Sequence, residues 1–547
     1  MSSAAHKASI GLVLLTAASG LLVALFWTNE TIVELTWLGL GSRFGLDVTG
    51  RTFLLFTSIL WLLSGVYGLG YLKSDPRRLS YNAFLVFAMI GNFGLILARD
   101  AVAFYSCFAL MSFASFGLII HNRDEAAIKA GKVYMILVIL GEISLFVGLV
   151  SMLAGHGLNL SLPVAPGIVT SQMTVALLIV GFGIKAGVVT LHVWLPLAHP
   201  AAPPPASAVL SGAMIKAGLL GWIRFLPLGE SGFEGWGTFL MCAGLVAAFY
   251  GVAVGLVQAN PKTILAYSSI SQMGFMTLGI GAGLLHPELW PALLVAVTIY
   301  AFHHGLAKGA LFLGAGTAPG GMPRIAWLGI LLPALSLGGA PFLSGATAKG
   351  ALKSVSPYFS HDWPLVLTVL LPAAAIGTSF LMIRFIIVVR SYHLMSQSDK
   401  GRPWMFLGWG ALVVCSLSLV WLWDPASRFA SSSLKGSKLF NAAWPVLAAV
   451  AVAGIFFGTN WSKAQSLGGK IPAGDLLLLL ERLIISVSKT LRMWSSSKPR
   501  PRIPSISMLG MFECVVNVER NLARWPTAMI LLLALLAVMF GLVCWIR

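Results

Sequence analysis

The sequence predicts an all-α polytopic membrane protein with about 15 transmembrane helices. Of the 547 residues, 58% are hydrophobic and only 10% are charged. A soluble domain carries roughly 25% charged residues, so this chain cannot cover a water-facing surface with charge, and most of its surface must face lipid. In addition, apolar segments long enough to cross ~30 Å of hydrocarbon recur along the chain. The composition excludes intrinsic disorder and a disulfide-built secreted fold.

The predicted spans follow one another from the first residues almost to the last. The first has a basic start at His6 and Lys7, as a signal peptide has, but no A-x-A-like site follows, so we expect it to remain a span. The spans are residues 8–27, 52–72, 81–98, 101–120, 132–154, 173–195, 205–227, 236–258, 264–285, 290–315, 325–352, 363–390, 404–423, 441–458 and 527–546.

The net charge of +18 indicates contact with lipid headgroups and not with nucleic acid, because the basic residues lie mainly in loops and a late linker. These residues are concentrated in alternate loops. The positive-inside rule then predicts a cytoplasmic N-terminus and a C-terminus on the opposite side. We expect the membrane to be the cell inner (plasma) membrane. Arg224 lies near the end of a span, and we expect it to extend to the interface.

A late segment is predicted to lie along the membrane. Asp475 and Glu481 enclose five leucines, and Arg482 and Lys489 follow among apolar residues, which is typical of an amphipathic helix at an interface. Three prolines within residues 495–504 exclude its continuation as a helix. The same composition also fits a polybasic surface linker without a partner.

Charged residues inside the spans are the candidate functional residues. Glu142, Lys185, Lys216, Lys308 and Lys349 all fall within predicted spans. A lysine at the bilayer centre costs roughly 2.5–3.5 kcal/mol on insertion scales, so it usually faces other helices or a wet cavity. A buried lysine can gain and lose a proton near neutrality, and a neighbouring carboxylate favours its charged form.

Histidines extend this set, because their intrinsic pKa of ~6.5 suits proton relay. His304 and Lys308 are four residues apart and share one helix face, whereas His303 points elsewhere. Lys185 and His192, seven apart, share a face if their helix is continuous. The alternative is structural, with the lysines bound to backbone carbonyls at helix breaks. Breaks are expected beside two lysines: Gly187 follows Lys185, and Gly-Gly-Ala-Pro at residues 338–341 precedes Lys349.

Three segments, in order, resemble one family. They are GFGIKAGVVTLHVWLPLAHPAAPPPASAVLSGAMIKAGLLGWIRFLPL (181–228), GLVQANPKTILAYSSISQMGF (255–275) and HHGLAKGALFLGAG (303–316). They resemble the antiporter-like proton-channel subunits of respiratory complex I, membrane-bound hydrogenases, formate hydrogenlyase and multisubunit cation/proton antiporters. The resemblance covers roughly residues 80–390.

The resemblance implies a domain plan with two inverted five-helix repeats, each with a broken helix and a central lysine. The plan also includes N-terminal and additional helices, an amphipathic lateral helix with a basic linker, and a last anchoring helix. The parts are residues 1–80 (N-terminal helices), 81–227 (first repeat), 236–390 (second repeat), 404–458 (additional helices), 474–526 (lateral helix and linker) and 527–547 (anchor).

The resemblance also implies roles for single residues. Lys185 matches the lysine of the first broken helix, the proposed proton carrier of that half-channel. Lys216 matches the connecting position on the next helix. His304 and Lys308 match the relay between the halves, and Lys349 matches the lysine near the exit to the periplasmic side.

The sequence departs from the family at the partner of the first lysine. The family typically has a glutamate in a W-E-x-M-S-like context, whereas residues 107–112 read Cys-Phe-Ala-Leu-Met-Ser, with Ala109 in the place of the acid. Glu142 on the next span is our candidate substitute. Without it, the first half-channel is expected to be idle.

We therefore expect a proton-translocating membrane subunit of a redox-driven complex of the NADH:quinone oxidoreductase or membrane hydrogenase type. The five cysteines are scattered without a CxxC pair, so no catalytic residue, cofactor or metal is expected in this chain. Redox chemistry would belong to a peripheral module reached through other membrane subunits. A cation/proton antiporter or ion-coupled uptake subunit without redox coupling is the second hypothesis, and a structural scaffold is the third.

Overall fold

The computed structural model describes residues 3–27, 31–36, 41–156, 160–169, 171–320, 322–360, 362–393, 402–458 and 471–477. The described part consists of eighteen α-helices, short helical turns and one two-stranded hairpin. Apart from its first few residues, the predicted lateral helix with its linker (474–526) lies outside the described residues, as does the last anchor (527–547).

The first nine helices are α1 (Ser3–Phe26), α2 (Val48–Tyr71), α3 (Arg78–Leu97), α4 (Ala101–Ile119), α5 (Glu125–His156), α6 (Gln172–Ala186), α7 (Trp194–Ala201), α8 (Pro204–Val209) and α9 (Ile215–Phe225). A π-helical turn, Leu210–Met214, joins α8 to α9. The strands β1 (Val33–Leu35) and β2 (Ser42–Phe44) pair antiparallel before α2.

The other nine helices are α10 (Glu234–Leu256), α11 (Pro261–Leu285), α12 (Trp290–Thr317), α13 (Leu328–Gly338), α14 (Ser344–Val355), α15 (Trp363–His393), α16 (Arg402–Leu422), α17 (Ala426–Ser433) and α18 (Gly436–Gly458).

Length and composition confirm the membrane prediction. Within the described residues, eleven helices are long and apolar enough to cross a bilayer, and two shorter apolar helices, Gln172–Ala186 and Arg324–Gly338, begin the two broken spans. Helices suit this environment because each satisfies its own backbone hydrogen bonds away from water. The count of about 15 spans and the inverted relation of the repeats stay predictions.

Burial separates central from peripheral helices. The segment Pro204–Phe225 is 100% buried, whereas the spans at Ala8–Phe26 and Gly436–Ile455 are only 22% buried. Nearly every residue of α11 is buried as well. Lys185, Lys216 and Lys308 lie where helices surround them, while the outer helices present leucine, isoleucine and valine outward.

Both expected helix breaks are present, and the two are capped alike. α6 ends at Gly187 and α13 ends at Gly339, with φ angles of 72° and 94° in the left-handed region. Gly187 N–H donates to the carbonyls of Gly183 and Ile184, and Gly339 N–H in the second broken helix donates in the same way to those of Leu335 and Ser336. Glycine takes this conformation without a Cβ penalty, so these positions end the first half of each broken helix.

The side chain of Arg224, which we expected to extend to the interface, is only 2% exposed and pairs with Asp47, the N-cap residue of α2. Burial alone would raise the pKa of Asp47. The hydrogen bond and charge of Arg224, the Gly50 amide and the charge of Arg99 outweigh it and lower the pKa to about 2. Asp47 therefore stays ionised at neutral pH and links α2 to α9.

Candidate functional site

At the centre of the bundle, two lysines from different helices bind backbone carbonyls on either side of a bridge between two serine hydroxyls. Lys216 follows the π-helical turn and donates through Nζ to the carbonyl of Ser211 within that turn. Ser211 Oγ lies 2.8 Å from Ser269 Oγ on α11, and Ser269 donates to the carbonyl of Leu265 at 3.0 Å. Lys308 Nζ on α12 donates to the same carbonyl at 2.8 Å. We call these five residues the central lysine path.

The π-helical turn explains part of this geometry. An i→i+5 turn displaces the following side chains relative to a regular helix, and such turns are frequent at functional sites. Lys216 and Lys308 are both 0% exposed, and neither has an acidic partner among the described residues. Each ammonium group is instead held by a backbone carbonyl, so the contacts in this path fit the structural alternative as well as proton transfer.

Lys185 occupies the last turn of α6, beside the break. Its Nζ donates to the Tyr134 hydroxyl at 3.0 Å, and that hydroxyl donates to the carbonyl of Ser112 at 2.8 Å. The C-terminal end of a helix carries a partial negative charge, which favours an ammonium group there. Glu142 on α5 is 6% exposed and interacts electrostatically with Lys185. Glu142 thus interacts with Lys185, although position 109, where the family typically has a glutamate, is an alanine.

Removing the Glu142 charge should lower proton transfer through the Lys185 half of the molecule. Glu142→Gln keeps the size of the side chain but removes the acid that, among the described residues, favours the charged form of Lys185. We expect roughly a tenfold loss in proton flux through that half-channel, measured in membrane vesicles. Unchanged flux would refute the substitution and indicate an idle half-channel.

Lys349 lies on α14, the second half of the second broken helix. Its Nζ donates to the carbonyl of Gly338 at 2.8 Å and lies 5.8 Å from the centre of the Phe275 ring. Gly338 is the last residue of α13, so this ammonium group also lies at a helix C-terminus. The two broken helices therefore hold a lysine near the same structural feature, although Lys185 precedes its break and Lys349 follows it.

The histidines on α12 face different neighbours. His303 Nδ1 lies 2.8 Å from Ser344 Oγ on α14. His304 is fully buried, neither ring nitrogen has a hydrogen-bond partner among the described residues, and it interacts electrostatically with Lys216 and Lys308. Buried ring nitrogens without protein partners require ordered water or a moving neighbour. His304 is therefore placed to join the central lysine path.

His192 does not share a helix face with Lys185, because α6 ends at Ala186 and the condition of a continuous helix fails. It lies in the segment before α7 and is 0% exposed. The centre of its ring is 5.1 Å from the centre of the Tyr250 ring and 6.5 Å from that of Tyr267. His192 thus belongs to a second polar cluster.

Four polar residues of the site were not identified in the sequence, namely Ser211, Ser269, Gln272 and Thr378. Ser211 and Ser269 complete the central path, while Tyr300 donates to Gln272, and Gln272 to Thr378 on α15. The available signal was the polar run Ser-Ser-Ile-Ser-Gln at 268–272 within an otherwise apolar helix. Among the described residues, no group of three or more histidine, cysteine or acidic side chains could hold a metal ion.

Comparison with known proteins places this geometry in a family. Residues 98–373 match the family described as NADH:quinone oxidoreductase/Mrp antiporter, transmembrane. The chain is 32% identical over 286 residues to hydrogenase-4 component B of Escherichia coli K12, covering 50% of this chain and 42% of that protein. It is 30% identical over 392 residues to the putative antiporter subunit mnhA2 of Staphylococcus saprophyticus, covering 64% and 49%. The chain thus spans about half the length of these curated relatives.

A solved structure confirms the fold. The Mrp complex from Dietzia sp. DQ12-45-1b aligns with a TM-score of 0.68 and 22% sequence identity, covering 98% of this chain and 60% of that one. At this identity the likeness concerns the fold alone. Because the family match spans half of the chain and includes both broken helices, the protein belongs to the NADH:quinone oxidoreductase/Mrp antiporter membrane family.

Proposed function

We propose that this chain is the proton-translocating membrane subunit of a redox-driven complex, of the NADH:quinone oxidoreductase or membrane hydrogenase type. The observation that carries the proposal is the central lysine path, in which Lys216 and Lys308 are connected through Ser211, Ser269 and the Leu265 carbonyl. Buried lysines cost free energy in a bilayer, so two neighbouring lysines with no acidic partner among the described residues support proton carriage.

The other charged groups extend the proposed path on both sides. Lys185 with Glu142 would form the first half-channel, His304 would relay protons near Lys308, and Lys349 would lie toward the exit. The proposal also includes a cell inner membrane location, a cytoplasmic N-terminus, further membrane subunits and a peripheral redox module. The similarity to hydrogenase-4 component B supports a hydrogenase-type partner.

A cation/proton antiporter subunit without redox coupling is the second candidate. The likenesses to a putative antiporter subunit and to the Mrp complex favour it. Both candidates use the same buried lysines, so the contacts within this chain do not separate them. The two candidates differ in the driving ion and in the partner subunits.

Purification of the intact complex tests the two candidates. The complex is isolated from the membranes of its source through a tag on this chain, and its subunits are identified by mass spectrometry. In a vesicle assay, membrane vesicles with the complete complex are energised by its electron donor or by a potassium diffusion potential, and a trapped pH dye reports proton flux.

The proposal expects an iron–sulfur subunit with flavin or nickel–iron to co-purify, together with proton flux that does not depend on sodium. Flux that requires an opposing sodium gradient, without such a partner, would establish the antiporter instead. The absence of any proton flux under either driving force would refute both candidates and favour the structural scaffold.

A further inference from the structure

A short segment after α18 places an acid against the end of the bundle where α10 ends and α11 begins. Both carboxylate oxygens of Asp475 accept from the Tyr250 hydroxyl at 2.7 Å, and Oδ1 also accepts from the Tyr267 hydroxyl at 2.8 Å. Tyr250 lies in the last two turns of α10, and Tyr267 in the first two turns of α11. Asp475 itself is partly exposed, so one carboxylate joins the surface to two tyrosines between helices.

Behind the tyrosines lies His192. The rings of His192, Tyr250 and Tyr267 form a triangle with centre distances of 5.1, 6.5 and 6.3 Å. His192 is completely buried, and neither of its nitrogens has a hydrogen-bond partner among the described residues. Asp475 interacts electrostatically with it. An unpaired imidazole behind an acid and two hydroxyls is a group that can accept a proton from them.

The segment is held by specific contacts. Gln258 Nε2 donates to the carbonyl of Ile471 at 3.1 Å. Gly474, with φ of 73°, packs so closely on Leu197 of α7 that an added Cβ would lie 3.2 Å from that side chain. The position of Asp475 is thus fixed relative to α7, α10 and α11.

We propose that Asp475, with Tyr250 and Tyr267, is the site at which protons are taken up from water and passed to His192. This inference rests on the proposed function and adds a loading site to it. Asp475 accepts a proton from hydronium and releases water. The proton then moves by hydroxyl exchange: a tyrosine oxygen accepts the proton of the protonated carboxyl while its own proton passes to an imidazole nitrogen, which leaves Asp475 ionised and His192 as imidazolium.

Asp475→Asn tests the loading step in the vesicle assay. Asparagine keeps the size of the side chain and one acceptor oxygen for a tyrosine hydroxyl, but it cannot take up a proton at neutral pH. We expect proton flux per assembled complex to fall about tenfold or more, and Asp475→Glu to keep most of the flux. Asp424→Asn is the matched control, because Asp424 is an exposed acid outside this cluster.

Lys308→Ala, which removes a lysine of the central path, serves as the reference variant. If it stops proton flux while Asp475→Asn retains full flux, the loading site is refuted and the proposed function stands. If neither variant changes the flux, the proposed function itself fails.

A double variant covers the case in which Asp475→Asn lowers the amount of complex too far for a measurement. Tyr250→Phe with Tyr267→Phe leaves Asp475 in place and removes only the two hydroxyls that donate to it. The same loss of about tenfold or more is expected. Full flux in this variant would overturn the proposal, because no hydroxyl would then be needed for the transfer.

Discussion

Gly345→Ala should prevent the second broken helix from folding into its native arrangement. Gly345 is the second residue of α14, and a Cβ at this position would overlap the carbonyl oxygen of Ser336 on α13 and lie 2.7 Å from its carbonyl carbon. These are backbone atoms, so no side chain can move aside. Separating α13 from α14 would break the contact between Ser344 Oγ and Ser336 Oγ, which are 3.0 Å apart.

The expected cost is about 3 kcal/mol or more, since overpacking against backbone cannot be relieved by a rotamer change. The amount of assembled complex in the membrane should fall sharply, and its melting temperature in detergent should drop. Gly350→Ala is the control: it lies on the same helix, and a Cβ there meets nothing within 4 Å. Equal stability of the two variants would show that α13 and α14 are not in contact as described.

Sequence reasoning located the charged residues and the breaks because both are local signals. A lysine in an apolar run is visible in the sequence, and so is Gly-Gly-Ala-Pro before Lys349. The membrane-spanning helical fold followed from composition for the same reason. Sequence reasoning fails for contacts between residues that are far apart in the chain. Arg224 is an example, because its position near the end of a span gave no indication of its partner.

Arg224 pairs with Asp47, which is far away in the sequence and caps a different helix. Similarly, the bridge between Ser211 and Ser269 forms only because the π-helical turn and α11 pack side by side. The hydrophobic periodicity of a helix does not show which other helix it packs against. No single-helix pattern could therefore distinguish these serines from others in apolar spans, which usually bond to their own backbone.

The same limit applies to Asp475. In the sequence it begins a leucine run and predicts the start of an amphipathic helix. Its contacts with Tyr250 and Tyr267 bring it to helices in the middle of the chain. A surface role and a role in proton uptake are compatible at this position, because the segment meets the bundle at the end where α10 and α11 join.

Lys308→Ala should lower proton flux in the vesicle assay by about a hundredfold or more, while the complex still assembles. Lys308 is fully buried, and its only hydrogen bond that we identify among the described residues is to the Leu265 carbonyl, which Ser269 shares. Alanine removes the amine that would itself hold the proton and exchange it with His304, and among the described residues no other ionisable side chain binds the Leu265 carbonyl. The loss should therefore concern transport much more than folding.

Lys438→Ala is the matched control for Lys308→Ala, because Lys438 is an exposed lysine that contacts Ser432 Oγ at 3.2 Å. Its flux should equal that of the wild type. Ser269→Ala should give a smaller loss, about tenfold, since it breaks the bridge to Ser211 but keeps both lysines. Full flux in Lys308→Ala, with normal amounts of complex, would mean that the buried lysines only hold backbone carbonyls at the centre of the bundle. In that case the structural scaffold would explain the central path, because the contacts of Lys216 and Lys308 would be sufficient without any movement of protons.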